Sequence, residues 1–206
     1  MRLNKEIVAS FKRGFEEKCF QLLIESYETA LGTKVINLKW DENDITAELH
    51  QYIKENPRRL KWGIVTNVEQ HLTEKVLKKE KGFAAKSPRI DLRLVTINSC
   101  LEYEYHIEAK NLKEKDSALK RRYIDTGINN FISSKYENGC LLGYVLDGNL
   151  GKTVDGVNRL LKKDKREPEF LKLKTNHLSN SYYESEHTGD LLISHFMFDF
   201  TVLSST

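Results

Sequence analysis

Residues Gly139 to Val145, Gly-Cys-Leu-Leu-Gly-Tyr-Val, form a run without a single charge. Such a run, short and apolar throughout, is the pattern of a strand covered on both faces. The stretch before it is helical in period: Asp116-Ser117 supplies a cap, and Leu119, Tyr123, Ile124, Ile128, Phe131 and Ile132 recur on one side to about Ser134. A helix leading into a doubly buried strand predicts a crossover back into a sheet.

Upstream, two further strands are expected at Arg89 to Val95 and about Leu101 to Lys110, joined near Asn98-Ser99 as an antiparallel hairpin. A weaker strand pattern runs from about Trp62 to Leu72, followed by a basic turn at Lys78 to Gly82. An amphipathic helix is expected over residues 4–31, with Gly32 as its stop. A second follows Asp41-Glu42-Asn43-Asp44 and is ended by Pro57. After residue 150 the pattern gives a helix at about Val154 to Lys165. A final hairpin then joins Ser181–His187 to Leu191–Phe200 through Thr188-Gly189-Asp190. No repeat or linker divides the chain, so residues 1–206 are expected to be one α/β domain with a core at about 44–148 and a C-terminal extension over 150–206.

At 206 residues, 39% hydrophobic, 31% charged and 10% aromatic, the chain is long and apolar enough for a real core, which excludes disordered and collagenous classes. Its net charge of +3 permits a polyanionic partner without requiring one. Three cysteines, Cys19, Cys100 and Cys140, form no CxxC pair, so neither a disulfide framework nor a zinc site is signalled. Met1-Arg2-Leu3-Asn4-Lys5-Glu6 opens onto no apolar segment of signal-peptide length, and no run approaches the ~20 residues of a membrane helix. A cytoplasmic location is expected.

The chemistry concentrates on the strand 101–110. Because strand side chains alternate, Tyr103, Tyr105, Ile107 and Ala109 share one face, while Glu104, His106, Glu108 and Lys110 share the other. Glu108 and Lys110 therefore point the same way, and Asp91 stands on the hairpin partner. Carboxylates around an open position suit Mg²⁺, with Mn²⁺ as an alternative, and a neighbouring ammonium can steady the charge of a phosphate under attack. Glu48, 300° around its helix from Ile45, borders the apolar face and is a further candidate ligand. The triplet Glu16-Glu17-Lys18 repeats the spacing on a helix, with none of this setting.

The order helix, antiparallel strands bearing Asp and then Glu-x-Lys, helix, strand resembles the PD-(D/E)XK nuclease superfamily, the restriction-endonuclease-like fold. The resemblance covers about Asp44 to Gly148. It implies a restriction-endonuclease-like core, with the N-terminal helix and a C-terminal helix plus β-hairpin added. It further implies metal-dependent cleavage of DNA, less often RNA, with Asp91, Glu108 and Lys110 as catalytic residues and Glu48, Asp91 and Glu108 as metal ligands. One departure is that Ile90 precedes Asp91, with Pro88 three positions before it. The segment Arg121-Arg122-Tyr123-Ile124-Asp125-Thr126-Gly127-Ile128, with Tyr136 and the Gly-Tyr-Val strand, is also similar to small restriction-like proteins of bacterial anti-phage systems.

Lys120, Arg121, Arg122 and Tyr123 follow the motif strand closely and are the expected nucleic-acid contacts. No nucleotide-binding Gly-x-x-x-x-Gly-Lys motif is present, so any nucleotide dependence would come from a partner, and because an unrestrained nuclease in a cytoplasm is toxic, control by a protein activator or by homo-oligomerisation is expected. Two other readings stand beside this one. The chain is alternatively a catalytically inactive nucleic-acid-binding or assembly subunit of the same fold. Ser185-Glu186-His187 and His195, on opposing strands of the last hairpin, suggest a third reading, a small hydrolase using the C-terminal His pair, against which packing and interface roles weigh more heavily.

Overall fold

The structure, a computed structural model, describes residues 5–71, 89–98, 101–133, 135–136 and 138–205. The expected basic turn at 78–82, together with Pro88, Ser99 and Cys100, lies outside them. Helix α1 (Lys5–Thr33) is followed by α2 (Glu42–Glu55) and the short α3 (Pro57–Lys61). Strands β1 (Ile64–His71), β2 (Arg89–Asn98) and β3 (Leu101–Lys113) come next. Helix α4 (Ser117–Arg122) passes through a π-helical turn at Tyr123–Ile128 into α5 (Asn129–Ile132). The chain continues through β4 (Gly139–Asp147), α6 (Leu150–Lys163), β5 (Lys172–Leu173), β6 (Tyr182–His187) and β7 (Leu191–Asp199).

These strands form one sheet in the order β1-β2-β3-β4-β7-β6-β5. The pairs β1–β2 and β2–β3 are antiparallel, β3–β4 and β4–β7 are parallel, and β7–β6 and β6–β5 are antiparallel. The chain is therefore α/β with a mixed sheet. The C-terminal hairpin is not an appendage, because β7 lies beside β4 and extends the parallel centre of the sheet.

Strand β4 shows why its sequence is apolar throughout. Cys140, Leu142, Tyr144 and Leu146 face a core formed with α1 and α2, whereas Leu141 and Val145 face a second core formed with the α4–α5 segment and α6. Helices thus cover both faces, as a doubly buried strand requires. On the first face Tyr27 of α1 stacks on Phe198 at 4.4 Å, donates its hydroxyl to the Asp199 carbonyl at 2.9 Å, and so fastens the helix to β7.

Local signals explain the helix ends. Asp41 accepts from the backbone N–H groups of Asn43 and Asp44, both at 3.0 Å, so α2 starts at Glu42, two residues before the expected core boundary. Pro57 does end α2, but it then occupies the first turn of α3, where its missing N–H costs nothing and Asn56 serves as the cap. Gly139 lets β4 begin close against β3, since a Cβ there would stand 1.9 Å from the His106 carbonyl oxygen.

Candidate functional site

The described pairing of β2 with β3 ends at Leu92↔Ile107, and Asp91 follows just beyond it. Its Oδ2 accepts the Ala109 backbone N–H at 2.7 Å. Alternation then carries Glu108 and Lys110 to the same side of the sheet, toward the α4–α5 layer. Both are almost fully buried, at 4% and 5% exposure, which for a carboxylate and an ammonium demands partners. Lys110 Nζ donates to Glu108 Oε1 at 2.6 Å and to its neighbour's carbonyl, that of Ala109, at 2.9 Å. Asp91 Oδ2 lies 3.9 Å from the same nitrogen and Glu42 Oε1 3.8 Å.

Glu42, rather than Glu48, is the α2 carboxylate at this centre. It stands in the first turn of the helix, where Arg122 donates to its Oε1 at 2.6 Å and the Asn111 backbone N–H reaches Oε2 at 3.4 Å. Glu48 lies on another side of α2, beside Tyr52, which bonds to Thr33 of α1. The acidic sequence Asp41 to Asp44 reads as a cap and a first turn favoured by the helix dipole, which hides the second role of Glu42. The signal available for it was position, since the start of a helix packed on a sheet can overhang the strand ends.

Two more residues of the site lie outside the Asp and Glu-x-Lys motif. Tyr136 donates its hydroxyl to Glu108 Oε2, and Lys135 Nζ sits 3.9 Å from that oxygen and 4.7 Å from the centre of the Tyr136 ring. Both lie in the segment between α5 and β4, which only the folded chain brings to β3. His106, on the ionic face of β3, pairs through Nε2 with Glu104 at 3.1 Å, and Glu104 also receives Arg93 at 2.7 Å.

The electrostatics follow from burial and crowding. Burial, then the like charge of Glu108, pushes the Asp91 carboxyl up to about 6, with Lys110 and the Ala109 N–H pulling the other way. For Lys110, burial disfavours the ammonium, but the carboxylates of Glu108 and Asp91 outweigh it and raise its pKa above the ordinary lysine value. Burial lowers Lys135, partly offset by Glu108. Three carboxylates around one ammonium are hard oxygen donors of the kind Mg²⁺ takes. In this arrangement Lys110 stands among them, and among the described residues no three His, Cys, Asp or Glu side chains converge closely enough to hold an ion.

The expected nucleic-acid contacts divide. Tyr123 is fully buried and hydrogen-bonds to His195 Nδ1 at 2.8 Å, so it is a core residue and not a surface contact. Lys120 is 5% exposed and donates to the carbonyls of Lys113 at 3.1 Å and Glu114 at 2.7 Å, with its stem against Gly156 of α6. It holds the end of β3 instead of facing a phosphate. Arg121 is paired with Asp164, away from the carboxylates, and Arg122 alone of the four reaches the site, through Glu42.

Ser185, His187 and His195 come together on the inner side of the C-terminal hairpin. Ser185 Oγ lies 2.6 Å from His187 Nε2 and 2.7 Å from His195 Nε2, and His187 Nδ1 lies 2.7 Å from Glu169 Oε2. The order Ser–His–Glu is that of a hydrolase triad, but the serine hydroxyl is fully buried and already shared between two imidazoles. This cluster is structural, in line with the packing roles the sequence favours. A wide surface depression of about 690 Å³ near Glu25, Tyr52 and Arg58 is also distinct from the carboxylate centre, and its Glu25 is engaged by Asn56 and Arg58.

The chain matches no protein-family model, no curated protein and no solved structure. Its function is read from the site alone. No helix among the described residues is long and apolar enough to cross a membrane.

Proposed function

We propose that the protein is a metal-dependent nuclease that hydrolyses phosphodiester bonds of DNA, with RNA as the second polymer to test, in a bacterial defence or restriction setting. The observation that carries this reading is the convergence of Glu42, Asp91 and Glu108 within 4 Å of one lysine nitrogen, on the strands and helix that the PD-(D/E)XK resemblance implies. The order α2, antiparallel β1-β2-β3, helix, and β4 parallel to β3 supports the restriction-endonuclease-like comparison.

For Glu42, Asp91 and Glu108 to hold Mg²⁺ they would have to close in around it with the Lys110 ammonium moved aside, and the ion would then supply a Lewis acid for the phosphate and an activated water. Glu42 takes the place first given to Glu48. Lys110, held by Glu108 and the Ala109 carbonyl, orients the attacking water or offsets phosphate charge. Tyr136 keeps Glu108 in one rotamer, and Arg122 positions Glu42. The rest of the reading is a protein activator or a second copy that controls access.

The test is cleavage of supercoiled plasmid, linear and single-stranded DNA, and RNA, with Mg²⁺, Mn²⁺ or EDTA. Metal-dependent cutting by the wild type that disappears in Glu108→Ala is expected. Cutting that persists in EDTA and in Glu108→Ala would overturn the assignment. The second reading, an inactive nucleic-acid-binding or assembly subunit, is favoured by the way Lys110 fills the space between the carboxylates. It expects nucleic-acid binding with no ion-induced rise in melting temperature.

A further inference from the structure

The two oxygens of Glu108 face different cations. Oε1 is hydrogen-bonded by Lys110 at 2.6 Å, while Oε2 takes the Tyr136 hydroxyl and has Lys135 Nζ at 3.9 Å, beyond hydrogen-bond reach. Among the described residues the Lys135 ammonium makes no hydrogen bond, so its three donors are unspent, and its side chain is 20% exposed against 7% for Lys110. It rests over the Tyr136 ring, and its backbone N–H is anchored to the Asn130 carbonyl at 3.1 Å, which keeps it at the centre without committing its charge.

The charges around the centre balance as three against three: Glu42, Asp91 and Glu108 against Lys110, Arg122 and Lys135. A divalent ion added to that set leaves it doubly positive; Arg122 is 53% exposed and screened by water, but the excess beside the mostly buried Lys110 and Lys135 draws in an anion. A phosphodiester carries one negative charge and presents two non-bridging oxygens. Of the three cations, Lys110 and Arg122 already donate at 2.6 Å to carboxylates, and Lys135 does not.

We propose that Lys135 is a catalytic residue of this same centre, its ammonium binding a non-bridging oxygen of the phosphodiester under attack and offsetting the charge that builds there. This rests on the nuclease reading above. In the hydrolysis, a water oxygen bonds to phosphorus, the bond from phosphorus to the leaving sugar oxygen breaks, and a proton from the water reaches that oxygen through solvent. Lys135 keeps its own protons throughout. Its role is electrostatic, fixed before the reaction by the ring beneath it.

The experiment compares wild type with Lys135→Met, which keeps the stem on Tyr136, and Lys135→Arg, which keeps the charge. Single-turnover cleavage of supercoiled plasmid in Mg²⁺ is measured beside the affinity of a short labelled duplex DNA in Ca²⁺ across a salt series. Lys135→Met is expected to cut roughly 100-fold more slowly and to lower the salt slope of binding by about one, with Lys135→Arg recovering most of both. Full-rate cutting by Lys135→Met with an unchanged slope overturns the proposal and leaves the nuclease reading standing. Slow cutting with an unchanged slope and no rescue by arginine also overturns it, since that is the behaviour of a packing residue. A wild type that binds duplex but cuts nothing in Mg²⁺ or Mn²⁺ overturns the catalytic role together with the nuclease reading. A wild type that neither cuts nor binds in Mg²⁺ or Mn²⁺ sinks both.

Discussion

A carboxyl that holds its proton more tightly when folded than when unfolded biases the molecule toward acid. Asp91, raised from an ordinary 3.8 to about 6, makes the folded state bind the extra proton between those values. Its contribution to stability is therefore fully present below about 4 and is lost as the pH rises through about 6. Asp91→Asn should raise stability at pH 7 in EDTA, on the order of 2 kcal/mol, and this gain should vanish near pH 4, as read by urea unfolding. The same variant should lose any Mg²⁺-induced rise in melting temperature that the wild type shows.

His195 acts with the opposite sign. Burial depresses it from 6.5 to about 3, so the unfolded chain binds the proton first, and its contribution is present above 6.5 and lost as the pH falls toward 3. The hydrogen bonds around it allow one proton order with all partners satisfied. Tyr123 donates to His195 Nδ1, His195 Nε2–H to Ser185, Ser185 to His187 Nε2, and His187 Nδ1–H to Glu169. Nitrogen-15 NMR should find both imidazoles neutral at pH 7, with His195 protonated on Nε2 and His187 on Nδ1. Ser185→Ala should leave two buried ring nitrogens without partners and cost about 1–3 kcal/mol.

Among the elements, the short distance between β4 and β3 makes Gly139 the most demanding position. Gly139→Ala puts a Cβ against the His106 carbonyl at 1.9 Å and at φ +154°, so it should cost about 3 kcal/mol or more and loosen Tyr136 from Glu108. Lys120→Met, by contrast, should cost about 1–2 kcal/mol by freeing two carbonyls at the end of β3, and should leave duplex affinity unchanged. Fluorescence anisotropy and urea melts separate those two effects. The alternation of β3 and the apolar run of β4 made both strands legible, because each pattern has one physical meaning. The break of the helix at Tyr123–Ile128 into a π turn was not legible, nor were the partners of Lys120, since both depend on α6 and β3 packing around them.

Over the whole molecule, what the sequence conceals is long-range order. Ser181–His187 and Leu191–Phe200 read as a hairpin, yet nothing local says that the second strand inserts beside β4 or that Tyr27 will stack on Phe198 across 171 residues of chain. The site shows the same division. Asp91, Glu108 and Lys110 belong to a local hairpin and could be read, whereas Glu42, Lys135 and Tyr136 arrive from elements apart in sequence, none carrying a recognisable spacing. The ammonium of Lys110 among three carboxylates has a further meaning at this scale. A centre that brings its own counter-charge needs no ion to balance it as the chain folds. On the nuclease reading, the cell could hold a full stock of finished, silent protein, and the free ion or a partner would decide how much of that stock is live.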